Sequence, residues 1–384
     1  MALELKSPKE NAAKDEVVFI QKITTDIKEI IVSDVNLGVP KEITTQKIAK
    51  LIGELDDVIK FPQLLRESKQ ALALSVQRWY YEYSYNLKTI RTATISNINY
   101  AITRYKGDGL AVKNKGITIN PQLILEEMQG TKSNAEFIKV YEKFRPYVDD
   151  ATKGLAVIQD YQKLVNGQVK VLAADPPISN RVDIDGKPYK VNLRNRSEMY
   201  VRYQANQEDL QRFIQQGIDL VWISSHADAS PRCRTYQGKL YSISGESGSI
   251  NGISYSPLSE ALLGPKGDGN GCISGYNCRH RLIEYETVSK APNDYTEAEM
   301  KKAYEVDQKQ RQFENQIRLL KTEERLFRAS GSTKRANVLK LRWQLINNQY
   351  EQYSLKNGRA FYRWRTSIGD EEVNQRGKQL NDIS

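Results

Sequence analysis

The sequence predicts an α+β protein: a helical N-terminal region, a small antiparallel-sheet core domain and a C-terminal antiparallel helical hairpin. Three observations predict it. Apolar residues recur at helical spacing through most of the first 165 positions, alternation and glycine take over from about 170 to 290, and a proline-free helical pattern runs from Tyr295 to about Lys356. The regions expected from these shifts are 1–168, 169–290 and 291–384.

In the first region, helical segments are predicted near 16–32, 42–60 and 62–105. Trp79, Tyr83 and Leu87 recur every fourth residue, so the run WYYEYSYN reads as a helix-packing seam whose hydroxyls reach water, with an aromatic binding patch as the alternative. YKGDGL breaks the pattern, and ITINPQLI restarts it with Asn120 as cap and Pro121 in the first helical position. Helix then continues to about Val165, with an interruption expected at Pro146.

The second region opens with alternation around Asp185-Gly186, a strong hairpin signal. A helix over 195–217 ends at Gly217, and IDLVWIS (218–224), KLYSIS (239–244) and HRLIEYE (280–286) supply strands. Between them, 244–271 is rich in glycine and is expected to be a long binding or mobile loop, with one strand and one helical turn within NGISYSPLSEALLG.

In the third region, Phe313, Ile317 and Leu320 share one helix face, and Val338, Leu341 and Leu345 share another. ASGST (329–333) lies between them as the turn of a helical hairpin. Residues 301–342 hold 12 Lys or Arg against 5 Asp or Glu, which leaves a local net charge of +7 in a chain of +10. A solvated face and a polyanion-facing surface are both open here. The candidate nucleic-acid contacts are Arg318, Lys321, Arg325, Arg328, Lys334 and Arg335, with Arg363 and Arg365 from the segment GRAFYRWRT.

Composition narrows the function classes. An apolar fraction of 39% with 22 tyrosines and only 8 phenylalanines suits a protein that completes its burial against partners. Three cysteines cannot all pair within the chain, which argues against a secreted disulfide framework. No signal peptide and no membrane span are expected, so the chain is read as made in the cytoplasm.

Both histidines fall in or beside two motifs, SSHADASPRCRTYQGKL (224–240) and GYNCRHRL (275–282), which also hold two of the cysteines. A Ser–His–Asp triad within SSHAD is disfavoured, because neighbouring side chains rarely aim at one another. A nuclease or other hydrolase centred on His226 and His280 would also need Glu284, Arg234 and Arg279 brought together. Cys233, Cys272, Cys278 and His280 form a Cys3His set suited to zinc, with His226 as a fifth candidate. The spacing departs from the usual short Cys-x-x-Cys knuckle, and buried, metal-free cysteines are the alternative. No glycine pattern matches a phosphate-binding loop. No cofactor other than zinc, and no catalytic residue, is expected.

These elements in this order resemble the phage minor capsid protein 2 family and, more distantly, the Mu-type head morphogenesis domain. The motif core is His226, Asp228, Cys233, Arg234, Gly238 and Lys239, then Asn277, Cys278, Arg279 and His280. VNLRNRSEMYVRYQANQ before it and the basic helices after it extend the resemblance over about 190–360. The Mu-type Pro-x-His-Pro element is replaced here by GCISGYNCRH. The resemblance implies a structural virion component in the phage head. Its implied partners are the portal protein or major capsid protein, with docking expected through the helical region 1–168, and, through the basic tail, packaged double-stranded DNA. A sequence-independent DNA-binding protein is the remaining alternative.

Overall fold

A computed structural model describes residues 8–105, 112–114, 117–151, 161–174, 179–182, 188–263, 273, 278–287 and 295–369. The first helices are α1 (Pro8–Leu37), α2 (Lys41–Gly53), the short α3 (Leu55–Val58) and the 44-residue α4 (Pro62–Tyr105). A small antiparallel hairpin, β1 (Val112–Asn114) with β2 (Ile117–Ile119), follows and was not anticipated from the sequence. Then come α5 (Pro121–Gly130), α6 (Asn134–Ala151) and α7 (Tyr161–Ala173). The Asn120 side chain accepts the Gln122 amide, and Pro121 occupies the first turn of α5, where its missing N–H costs nothing. The break expected at Pro146 does not occur, since α6 runs through it to Ala151.

Helix α1 lies at the centre of the helical body. It packs against α2, α4, α6, α7, α8 (Leu193–Gln215) and α11 (Glu297–Ala329). Ile20, Ile23, Ile27 and Ile31 are fully buried, as is Lys28 on the same helix. Such a helix must satisfy its polar groups internally. Lys28 Nζ donates to the Ala173 carbonyl at 3.2 Å and sits 5.0 Å from the centre of the Trp79 ring. Asn36 Nδ2 donates to the Val32 carbonyl and to the Tyr83 hydroxyl, while Asp34 accepts from Thr44 and Lys47. Trp79, Tyr83 and Leu87 are buried as a seam, whereas Tyr81 and Tyr85 stack on each other at 5.8 Å on the exposed side.

The hairpin β3 (Ser179–Val182) with β4 (Pro188–Val191) lies where alternation predicted it, although Asp185 and Gly186 fall outside the described residues. Helix α8 links two cores. Leu193, Tyr200 and Val201 join the helical core, and Phe213 near its other end joins the core of the sheet. Gly217 terminates it at φ +70°, where the Ile218 amide returns to the Phe213 carbonyl at 3.0 Å.

The sheet comprises β5 (Leu220–Ile223), β6 (Leu240–Ser242), β7 (Gly248–Ile250), β8 (Ile253–Pro257) and β9 (Leu282–Glu284), in the order β7-β8-β6-β5-β9. It is mixed and not purely antiparallel, because β6 and β8 run parallel. The cause is a hairpin inside the glycine-rich stretch. Ile250 faces Ile253 across a two-residue turn, and Asn251 and Gly252 take φ +50° and +77°. That is the left-handed pair that an Asn-Gly hairpin turn requires. The returning strand β8 then inserts beside β6. The stretch expected to be a loop is therefore ordered through α10 (Leu258–Leu263), and 264–271 lies outside the described residues.

The two final helices, α11 and α12 (Thr333–Lys356), form the expected hairpin. Thr296 and Glu299 make a reciprocal capping box at the start of α11, but the Ser332 side chain does not cap α12. Ile317, Leu320, Leu326, Phe327, Ala336, Leu339, Ile346 and Tyr350 join the same core as α1, so the first and last helices of the chain share one interior. Val338, Leu341 and Leu345 do share one face, and it is turned outward.

Candidate functional site

Strand β5 carries the chain into the first motif, and β9 begins just after the second. These two strands pair side by side, which joins stretches more than fifty residues apart. The ladder extends one step further, since the Ser224 amide donates to the Arg281 carbonyl at 2.9 Å and the Arg281 amide to Ser224 Oγ at 2.8 Å. Helix α9 (Pro231–Arg234) raises Cys233 toward the same place. Gly238, at φ +70°, turns the chain back into β6 and donates to the Ile223 carbonyl. A residue with a Cβ would be strained there. The Lys239 side chain is exposed, and its contribution is the carbonyl that accepts the Ile223 amide.

Cys233, Cys278 and His280 are all buried, and their donor atoms lie within 4.8 Å of one another. Cys278 Sγ is 3.4 Å from His280 Nδ1 and accepts the His280 backbone amide at 3.3 Å. Ser230 Oγ donates to Cys233 Sγ at 3.3 Å. The hydrogen bond from Cys278 is the main influence that lowers the Cys233 thiol to about 4; burial opposes it, while His280 and Ser230 add to it. These contacts favour the thiolate form of Cys233. The remaining member of the Cys3His set, Cys272, lies outside the described residues, as does Asn277.

Gln237 organises the cluster and was not singled out from the sequence. Its Oε1 accepts the His226 backbone amide at 3.0 Å and stands 2.9 Å from His280 Nε2, while its Nε2 donates to Met300 Sδ. An oxygen at that position makes Nε2 the protonated nitrogen of His280 and leaves the Nδ1 lone pair facing the cysteines. Gln237 stands immediately before Gly238 and four residues after Cys233. That proximity was the available signal.

His226 meets His280 edge to face at 4.9 Å, and its Nε2 lies 3.0 Å from Ser224 Oγ. Among the described residues, several groups that a nuclease would need are buried or already paired. His280 is buried, Arg279 pairs with Asp228 and Asp307, and Arg234 donates to the Ala229 carbonyl beneath the ring of Tyr304. Burial pushes the Asp228 carboxyl up, but Arg279 and Arg359 beside it more than reverse this and hold it below the usual carboxylate range. Asp228 is thus a structural anion that joins the sheet unit to α11 and to the segment after α12.

The basic residues divide. Lys321 is buried over the ring of Trp343, Arg325 pairs with Asp26 and Glu29 of α1, and Arg365 pairs with Glu314. Arg318 donates to the Arg365 carbonyl, and Arg328 pairs with Glu324. Lys334, Arg335 and Arg363 are exposed. Lys321, Arg318, Arg325 and Arg365 are thus engaged within the protein, while most of the other basic side chains of 301–342, Arg328 included, remain exposed.

Among the described residues, no helix is long and apolar enough to cross a membrane. No curated protein and no solved structure matches the chain. Residues 188–353, from β4 into α12, match the family model described as Phage minor capsid protein 2. This segment, under half of the chain, spans the sheet unit, the cysteine–histidine cluster and nearly all of the helical hairpin. Over residues 188–353 the chain is therefore similar to phage minor capsid protein 2, a likeness that supports a structural protein of the phage head.

Proposed function

We propose that the chain is an assembly component of the phage head that docks onto the portal protein through the outer face of α12. The observation that carries this reading is a row of aliphatic side chains turned to solvent. Val338, Leu341, Leu345 and Leu355 are 64%, 69%, 60% and 64% exposed. With Asn348 and Gln352 between them, they follow the alternating three- and four-residue spacing of a helix–helix seam. Burying such side chains is worth ~1.5–3 kcal/mol each, and folding of this chain leaves that gain unused. The spacing suits a helix as the occupant. Exposed Arg335, Arg342 and Lys356 run beside the row and favour a partner helix with acidic flanks.

The test is co-purification of the full chain with portal protein, alone and from phage heads. The wild-type chain is expected in both, and Leu341→Lys with Leu345→Lys is expected to remain folded and be lost from both. Absence of the wild-type chain from virions and procapsids overturns the proposal, as does portal binding that survives the double substitution.

Contact with packaged DNA is a second reading, supported by exposed Lys334, Arg335, Lys340 and Arg342 on α12. Binding to duplex DNA should weaken steeply with salt if several phosphates are neutralised. Undetectable or salt-insensitive binding discards it.

A further inference from the structure

The cysteine–histidine cluster has the chemistry of a metal site, independently of what α12 binds. We infer that Cys233, Cys278 and His280 hold a structural zinc ion that ties α9 to the start of β9. Two thiols and an imidazole are the soft and borderline donors zinc prefers. Two ligands at tetrahedral angles on zinc, one sulfur and one nitrogen, stand ~3.6 Å apart, from the usual Zn–S and Zn–N bond lengths. Cys278 Sγ and His280 Nδ1 are 3.4 Å apart, and all three donors lie within 4.8 Å of one another.

The surroundings match as well. A metal-bound histidine normally gives its other N–H to a fixed acceptor, which sets the tautomer and aims the ring. Gln237 Oε1 fills that place at 2.9 Å, and it is itself held by the His226 amide. Metal-bound sulfur is stabilised by N–H and O–H donors. Cys278 receives the His280 amide and Cys233 the Ser230 hydroxyl. The three donors leave one tetrahedral corner for a further ligand. Burial of all three argues for a fastening role and against a site open to substrate. The sheet core beneath the cluster is small, and closing α9 against the segment before β9 with a metal would supply stability that apolar contacts there do not.

The experiment uses the full chain, purified under reducing conditions without chelator or a metal-affinity step. Elemental analysis is expected to find about one zinc per chain, the stoichiometry of a single structural site. Cobalt exchanged into the site should give the thiolate charge-transfer band of a sulfur-ligated ion. Cys233→Ser with Cys278→Ser should abolish both signals, and Gln237→Ala should weaken zinc affinity ~10–100-fold while leaving the cobalt band in place. Should the double variant fail to fold, thiol alkylation of the wild-type chain decides the matter. A chelator is expected to raise the labelling rate of Cys233 and Cys278 in the zinc-loaded protein. The inference is overturned if the wild-type chain retains no zinc and gives no cobalt band. It is equally overturned if zinc persists in the folded double variant, or if chelation leaves alkylation unchanged.

Discussion

Arg359 donates a hydrogen bond to Asp228 across 131 residues of sequence, joining the segment that follows α12 to the loop that follows β5. The same carboxylate pairs with Arg279 at 3.3 Å, and Arg279 also reaches Asp307 of α11 at 3.4 Å. The sheet unit is thereby fastened to the helical hairpin by partly buried charges. Asp228→Ala should therefore destabilise the protein by ~2 kcal/mol, less than a fully buried pair would cost, because both guanidinium groups keep some contact with water. Denaturant unfolding measures this. A change within ~0.5 kcal/mol, the range of an ordinary surface substitution, would show the network to be ornamental.

Acid should loosen the body through Glu198. Burial raises its carboxyl, but Arg202, Arg194, Arg318 and Arg365 outweigh that and lower it to about 2. The folded value lies below the ordinary one of 4.5, so the contribution is fully present above about 4.5 and disappears as pH falls toward about 2. Glu198→Gln should cost ~3 kcal/mol at neutral pH and flatten the stability curve over that acid window. An unchanged acid limb in the variant contradicts the assignment.

Two neighbours on α12 should behave in opposite ways. Leu339 is 5% exposed and faces the hairpin core, whereas Leu341 is 69% exposed. Leu339→Ala should cost ~2–4 kcal/mol, and Leu341→Ser no more than ~0.5 kcal/mol. Comparable losses at both positions would mean that the outer row is already covered within the chain.

Lys28 tests the centre of the helical body. Its ammonium group is fully buried, with the Ala173 carbonyl and the Trp79 ring as partners. Lys28→Ala removes both and opens a cavity, at a cost of ~3 kcal/mol. Lys28→Met keeps the volume and should recover more than half of that loss. Thermal unfolding of the two variants side by side decides whether charge or volume matters more.

Much of the architecture was legible because the helices are long and strongly periodic. Gly217 announced a helix end through a left-handed φ that few other residues adopt, and Asn120 announced a helix start through its side-chain acceptor. What stayed hidden depended on which neighbour each face meets. Val338, Leu341 and Leu345 and the set Phe313, Ile317 and Leu320 look alike as patterns, yet only the latter finds a partner within the chain. Nothing local in the sequence marks Lys28, Asp34 and Asn36 as buried, because their burial comes from helices that pack around α1. The arginines of α11 read as free charge for the same reason. For Arg325, the carboxylate partners Asp26 and Glu29 lie almost three hundred residues away. At the candidate site, cysteines and histidines drew notice by rarity, and Gln237 did not because glutamine is common. The Asn251-Gly252 turn was present in the sequence but was masked by the glycine-rich stretch around it.

The central position of α1 has a consequence for biosynthesis. Asp26 and Arg325 meet across 299 residues, so α1 leaves the ribosome long before the helix that completes its burial. At ~5–20 residues per second, roughly 15–60 s pass between the two. Through that interval Ile20, Ile23, Ile27 and Ile31 have no finished shelter, and the nascent chain is open to chaperones or to premature capture by whatever it is destined to join.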